Sequence, residues 1–250
     1  MRRKNLKTWL ITENGGGLMD IYEIINQARK EGRKKLLEHE VYAILQKFEL
    51  PVPKFGLATT PEEAADIASK IGFPIVLKIV SPDIIHKSDV GGVILDIKST
   101  DEALDAFNKI RKNVSERAPK ARVAGILIQE MVPQGLEVIV GGTRDPTFGP
   151  VVMFGLGGIF VEVIRDVSFK VVPVTEYDAE QMLKEIKAGK ILDGYRNMPP
   201  RDKKALVDII LKTSKLLDTV DEIQDVDLNP IMSYEVGRGA KIADARIILR

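Results

Sequence analysis

The sequence predicts an α+β protein of two lobes, one a small sandwich of strands and helices, the other larger and mainly antiparallel. Three observations predict it. The 250 residues suffice for one large domain or two small ones sharing a cleft. Between Phe55 and Val132, short apolar runs alternate with helix-start signals in the order strand, helix, strand, strand, helix, strand. Beyond a turn-rich boundary at Gln129–Glu137, strands joined by tight turns come first, then two helical patterns, then two closing strands.

The elements follow in chain order. "NGGG" at Asn14–Gly17 reads as a joint between an N-terminal tail and a helix with apolar residues at Ile21, Ile24, Ile25 and Ala28. A second helix is expected over "KKLLEHEVYAILQKFEL", with His39 on its surface, until the prolines of "PVPKF" end it. Thr60, Pro61, Glu62 and Glu63 start a helix that stops at Gly72: a capping hydroxyl, a proline at the first position, acids in the first turn. "PIVLKIV" and "GGVILDIK" are strands, Ser99–Asp101 starts another helix, and "VAGILIQEMV" is a strand. The second half offers the hairpin "EVIVGGTRDPTFGPVVMFGLGG" and further antiparallel sheet in "FVEVIRDVSFKVVPV". Helices over "TEYDAEQMLKEIKAGKIL" and "PPRDKKALVDIILKTSKLLDTV" follow, then strands over "IQDVDLNPIMS" and "AKIADARIIL".

Composition excludes several chemistries. Net charge is +1, with acids and bases interspersed, so no global field favours nucleic acid or anionic lipid. No cysteine is present, which excludes disulfides, thiolate catalysis and cysteine-ligated zinc; two histidines exclude a histidine-rich metal centre. The basic start carries no apolar run of signal-peptide length, and no stretch approaches the ~20 apolar residues of a membrane span. A soluble cytoplasmic protein is expected.

Four places can carry chemistry. Lys78 sits inside the apolar strand "PIVLKIV"; it either snorkels from an edge or contacts phosphate at a cleft wall. Glu130, Met131 and Val132 end a strand at the lobe boundary; Glu130 and Glu137 are either solvated acids, or the strand's backbone groups meet an adenine edge and an acid beyond it accepts from ribose hydroxyls. The glycines of "GLGG", Gly155–Gly158, suit a phosphate approach or a plain tight turn, without the lysine of a P-loop. Asp225, Asp227, Asn229 and Asp244 are oxygen donors on the closing strands, and Asp227 and Asn229 share a face. Such donors suit magnesium beside phosphates, or form a polar strand face ending in an Asn-Pro turn.

"PIVLKIVSPDIIHKSDVGGV", "GGTRDPTFGPVVMFGLGGIFVEVIRDVSF" and "DVDLNPI" resemble the β subunit of ADP-forming acetyl-CoA synthetase, a nucleoside-diphosphate-forming acyl-CoA ligase of the ATP-grasp fold. The resemblance runs from about Lys35 to Arg250. It implies residues 1–19 as an extension, 20–54 as a helical lead-in packing on the large lobe, 55–132 as the small lobe with a swinging histidine loop, and 133–250 as the large lobe with a magnesium site. His86 falls at the position of the relay histidine; neutral imidazole is a good nucleophile toward phosphorus and releases it again. Lys78 and Lys87 are then phosphate contacts, Gly91 and Gly92 let the loop bend, and Glu130, Met131, Val132, Glu137 and Arg165 line the nucleotide site. Asp227, Asn229 and Asp244 hold Mg2+, and ATP or ADP is the nucleotide. Ser88 and Asp89 cap the loop or orient His86, and Asp166 shares a phosphate or docking role with Arg165.

The resemblance also implies a separate α subunit, carrying the CoA site and the acyl-phosphate histidine, in an α2β2 heterotetramer. The reaction is ADP, phosphate and acyl-CoA to ATP, acid and CoA, reversibly. The competing readings are an ATP-grasp ligase of the succinyl-CoA synthetase type and a nucleotide-binding regulatory subunit without turnover.

Overall fold

The computed structural model describes residues 18–158 and 166–250. Their order is mixed helix and sheet, divided into two compact units. One holds residues 37–39 and 53–131; the other holds the described residues before 37, residues 40–52 and those from 132 onward.

The first unit is a four-stranded antiparallel sheet with two helices. Strands β1 (Phe55–Ala58), β2 (Ile75–Val80), β3 (Val93–Ile97) and β4 (Gly125–Glu130) lie in the order β1-β4-β2-β3. Helix α3 (Pro61–Ile71) starts where Thr60 and Glu63 bond each other's backbone amides in a capping box. Helix α4 (Thr100–Arg117) starts at Ser99, whose hydroxyl accepts from the Glu102 amide. Alternate β2 residues Ile75, Leu77 and Ile79 join Ile126 and Ile128 of β4 against Ile67 and Ile71 of α3 and Phe107, Ile110 and Val114 of α4. That core is nearly closed to solvent, and at about 25 cal/mol per Å² its burial is the main force holding the unit together. The other face of β2 is also covered at Val76 and Val80, so Lys78 emerges between two buried valines.

The second unit is built on a six-stranded antiparallel sheet. Strands β5 (Leu136–Asp145), β6 (Gly149–Leu156), β7 (Val167–Val171), β8 (Ile223–Ser233) and β10 (Ala245–Leu249) run in the order β10-β8-β5-β6-β7. Strand β9 (Ala240–Ile242) pairs the far end of β8. Helices α5 (Glu176–Glu185) and α6 (Lys203–Thr219) pack on one face. Gly142 of β5 permits the closest approach: a methyl there would lie 2.3 Å from Leu217 Cδ1. Arg144, next but one along β5, turns its guanidinium onto the carbonyls of Leu217 and Val220 at the C-terminal end of α6 and of Ile223 at the start of β8. Helix α1 (Leu18–Lys30) buries Ile21, Ile24, Ile25 and Ala28, the positions its spacing predicts.

Four local expectations need correction. Helix α2 (Glu38–Lys47) begins four residues late, because the backbone at Lys34–Leu36 pairs with β10 instead: Leu36 donates to Ile247 and Leu249 to Lys34. His39 is buried, not on the surface; the flanking Glu38 and Glu40 are buried with it, each ion-paired to basic side chains. The helix over "TEYDAEQMLKEIKAGKIL" breaks at Ile186 into α5 and a 3-10 helix, Lys187–Asp193, whose first amides donate to the Asp166 carboxylate. The last strand divides into β9 and β10 at Ala243–Asp244, opposite an irregular step in β8. Among the described residues no helix is long and apolar enough to cross a membrane.

Candidate active site

On the first unit the chemistry gathers around β2 and the loop that follows it. Lys78 Nζ donates to Glu38 Oε1 at 2.9 Å, and Lys87 Nζ donates to the other oxygen, Oε2. The Glu38 side chain is 5 % exposed, Lys78 14 % and Lys87 26 %. One buried carboxylate thus draws two ammoniums to the same place with little water around them, where an ion pair is stronger than at the surface. The anion that Lys78 meets is a protein carboxylate, Glu38, which the sequence marks only as the first acid of "EHE" and which the fold buries, a place where acids require partners.

His86 is exposed, one residue before Lys87, in the loop between β2 and β3. The loop is tied at its base and along its return limb. Asp83 accepts from the amide and guanidinium of Arg122, which holds its carboxyl down to about 2. Asn113 and Arg117 of α4 donate to the Gly91 and Asp89 carbonyls. Within it, the amides of Asp89, Gly91 and Gly92 donate to the carbonyls of His86, Ser88 and Lys87. Gly91 stands at φ +62°, and a methyl on Gly92 would lie 2.5 Å from Ile79 Cγ2. The second glycine of the pair therefore packs the loop's exit against β2.

At the end of β4, the Glu130 carboxylate accepts from the Lys54 amide at 3.1 Å, and its own amide donates to the Lys54 carbonyl. Met131 donates to the Pro74 carbonyl at 3.1 Å. Proline has no N–H to return across this pair, and the Met131 carbonyl and Val132 amide follow directly at the strand's end.

On the second unit, the acids stand on the sheet face away from α5 and α6. Asn229 and Asp244 are direct cross-strand neighbours, the Asn229 amide donating to the Asp244 carbonyl at 3.2 Å. Asp227 is opposite Arg246, which donates to its Oδ2 at 3.2 Å. Burial raises the Asp227 carboxyl above its ordinary value; Arg246 opposes that shift and the charge of Asp244 adds to it. Asp227, Asn229 and Asp244 are thus brought together, whereas Asp225 accepts the Thr143 hydroxyl at 2.6 Å. Among the described residues no group of three or more His, Asp or Glu forms a metal cage. Two carboxylates and an amide oxygen match magnesium, which keeps several waters.

Glu137 is half-buried on the same outward face of β5, and its carbonyl accepts from Gly157 at 2.8 Å. A methyl on Gly157 would strike Glu137, so that glycine of "GLGG" serves a backbone contact inside the sheet. Arg165 lies outside the described residues. Asp166 is buried, and both its oxygens are spent on the Lys187 and Ala188 amides.

Residues 27–249 match the ATP-grasp domain, and the chain belongs to that family. Its place within the family is narrower. It is 50 % identical over 227 residues to the ADP-forming acetate–CoA ligase I subunit beta of Pyrococcus furiosus, which spans 91 % of this chain and 97 % of that one. The type II subunit beta of the same organism is 46 % identical over 229 residues, with 91 % and 97 % covered. The dinucleotide-forming acetyl-coenzyme A synthetase 1 of Ca. Korarchaeum cryptofilum superposes with a TM-score of 0.87 at 46 % identity, over 92 % of this chain and all of that one. That structure contains coenzyme A, acetyl-coenzyme A and a phosphorylated phosphohistidine segment. The same enzyme with Mg-AMPPCP, its segment pointing to the nucleotide site, gives 0.81 at 45 %, over 92 % and 100 %. The chain is therefore a β subunit of the ADP-forming acetyl-CoA synthetases, enzymes of the acid–CoA ligase class.

Proposed function

We propose that this chain carries a phosphoryl group on His86 and exchanges it with ADP and ATP, in company with an α subunit that holds the CoA and acyl-phosphate chemistry in an α2β2 assembly. The observation that carries the reading is the exposed imidazole on a loop whose next residue, Lys87, shares one buried carboxylate with the strand lysine Lys78. In the ATP-consuming direction, the unprotonated ring nitrogen of His86 attacks the γ-phosphorus. The bond to the β,γ-bridging oxygen breaks, its electron pair leaves with ADP, and the other ring nitrogen keeps its proton. In the synthetic direction ADP takes the group back, and the α subunit reloads His86 from an acyl phosphate made from acyl-CoA and phosphate.

Lys78 and Lys87 neutralise the moving phosphoryl oxygens, which is most of what this chemistry asks of a protein. The Met131 carbonyl and Val132 amide suit an adenine edge, and Glu137 suits a ribose. Asp227, Asn229 and Asp244 would hold Mg2+, which supplies charge neutralisation at the phosphates when bound.

The test is direct. Incubation of the pure chain with γ-labelled ATP and Mg2+ should give an acid-labile, base-stable phosphate on His86, absent from His86→Ala. Nucleotide binding without label would overturn the relay and leave the regulatory reading.

A further inference from the structure

We propose that Glu38 is a positioning residue for the histidine loop: it clasps Lys87 and Lys78 together, thereby presents His86 beside the strand lysine, and yields both lysines when phosphoryl oxygens arrive. The inference rests on the relay reading above and extends it to a residue outside the loop.

Its basis is geometric. Glu38 is the first residue of α2, and the other elements of the cluster belong to the same compact unit. Its two carboxylate oxygens take one lysine each, so neither lysine can be served without aligning the other. Lys78 is fixed by its strand, paired opposite Leu127 and Val93. Lys87 is in the turn that follows His86, and its own carbonyl receives the Gly92 amide that closes the loop. Asp83–Arg122 holds the loop's entry, and Asn113 and Arg117 hold its return limb. Glu38 reaches the part between those ties, the part that carries the imidazole.

Electrostatics gives the clasp its second property. The carboxylate holds two like charges side by side at a poorly hydrated place, and of the two lysines Lys87 is the one on a loop rather than a strand. A phosphoryl dianion on His86 or on a nucleotide competes for the same lysines. The clasp therefore holds the loop in place before transfer and loosens as charge arrives.

The experiment measures the rate of His86 labelling from saturating γ-labelled ATP and Mg2+ for the full chain, Glu38→Gln, Lys87→Met and the double variant. Each single substitution should slow labelling by about 10- to 100-fold, the scale of a misplaced reacting group. The double variant should be no slower than the slower single, because both remove one interaction. A wild-type rate in Glu38→Gln, or single losses that multiply in the double, overturns the inference. Should Glu38→Gln fail to fold, Lys87→Met at the wild-type rate does so instead. Hydrogen exchange of the Asp89, Gly91 and Gly92 amides reads the clasp without turnover. Those amides should exchange faster in Lys87→Met than in the unaltered chain, and unchanged exchange overturns the clasp. An unaltered chain that takes no label, with the exchange difference still seen, overturns the relay reading alone.

Discussion

The lysine–histidine cluster and the acid cluster solve opposite problems. His86 and Lys87 ride on a loop held by side-chain ties from Arg122, Asn113, Arg117 and Glu38. Asp227, Asn229 and Asp244 stand on or beside strands β8 and β10, with β8 hydrogen-bonded on both sides. Side-chain ties can be broken one at a time, whereas a central strand moves only with its neighbours. In the proposed relay, the group that travels is on the first kind of support and the groups that would hold a metal are on the second. The lesson is that side-chain ties and ladder bonds give the two clusters different kinds of anchorage.

That contrast can be tested from its strongest consequence down. His86→Ala should cut phosphoenzyme formation at least about 1,000-fold while leaving the melting temperature unchanged, since the ring is exposed. Asp244→Ala should raise the Mg2+ concentration needed for nucleotide binding by about 10-fold or more, measured by titration calorimetry. Its effect on loop exchange should be nil. Arg144→Ala should remove the donor shared by the Leu217 and Val220 carbonyls at the end of α6 and the Ile223 carbonyl at the start of β8, and cost about 2 kcal/mol, a fall in melting temperature of roughly 5 °C. His86 labelling at low temperature should survive it, which would separate the strand scaffold from the loop.

Two smaller effects probe the loop's own anchors. Gly92→Ala should force the exit of the loop away from Ile79, costing about 1 kcal/mol or slightly more by denaturant unfolding. The Asp83–Arg122 tie should be sensitive to acid. The Asp83 carboxyl sits at about 2 in the folded chain, held down by Arg122, against about 3.9 in an unfolded one. Its stabilising contribution is present above the unfolded value and is lost as pH falls from about 4 through about 2. The Arg122 amide, which donates to Asp83, should lose exchange protection over that window, and Asp83→Asn should remove the pH dependence.

Much of the fold was readable in advance because its signals are local. Thr60 and Ser99 announce their helices within three residues, and the hairpin of β5 and β6 turns where "RDPTFG" says it should. Local signals mislead where distant chain segments compete for the same backbone. Lys34–Leu36 carry a helical pattern and pair with β10 instead, some two hundred residues away. Asp166 breaks the helical run at Ile186 by capping amides it meets only in the folded chain. The site divides in the same way. His86, Lys87 and Lys78 stand out by residue type and neighbours, but the partners of Glu38 and Arg246 are distant in the chain, and only folding sets them against Lys87 and Asp227.

The order of residues alone determined which chemistry is available: one loop imidazole, an apolar-flanked lysine, oxygen donors spaced along closing strands, and no thiol. It also determined where most helices begin, because caps and prolines act over one turn of chain. Only the tertiary structure decided which charges neutralise which. An ion pair depends on distance and on exclusion of water, and both are set when β2, the histidine loop and the short segment Leu37–His39 are packed into one unit.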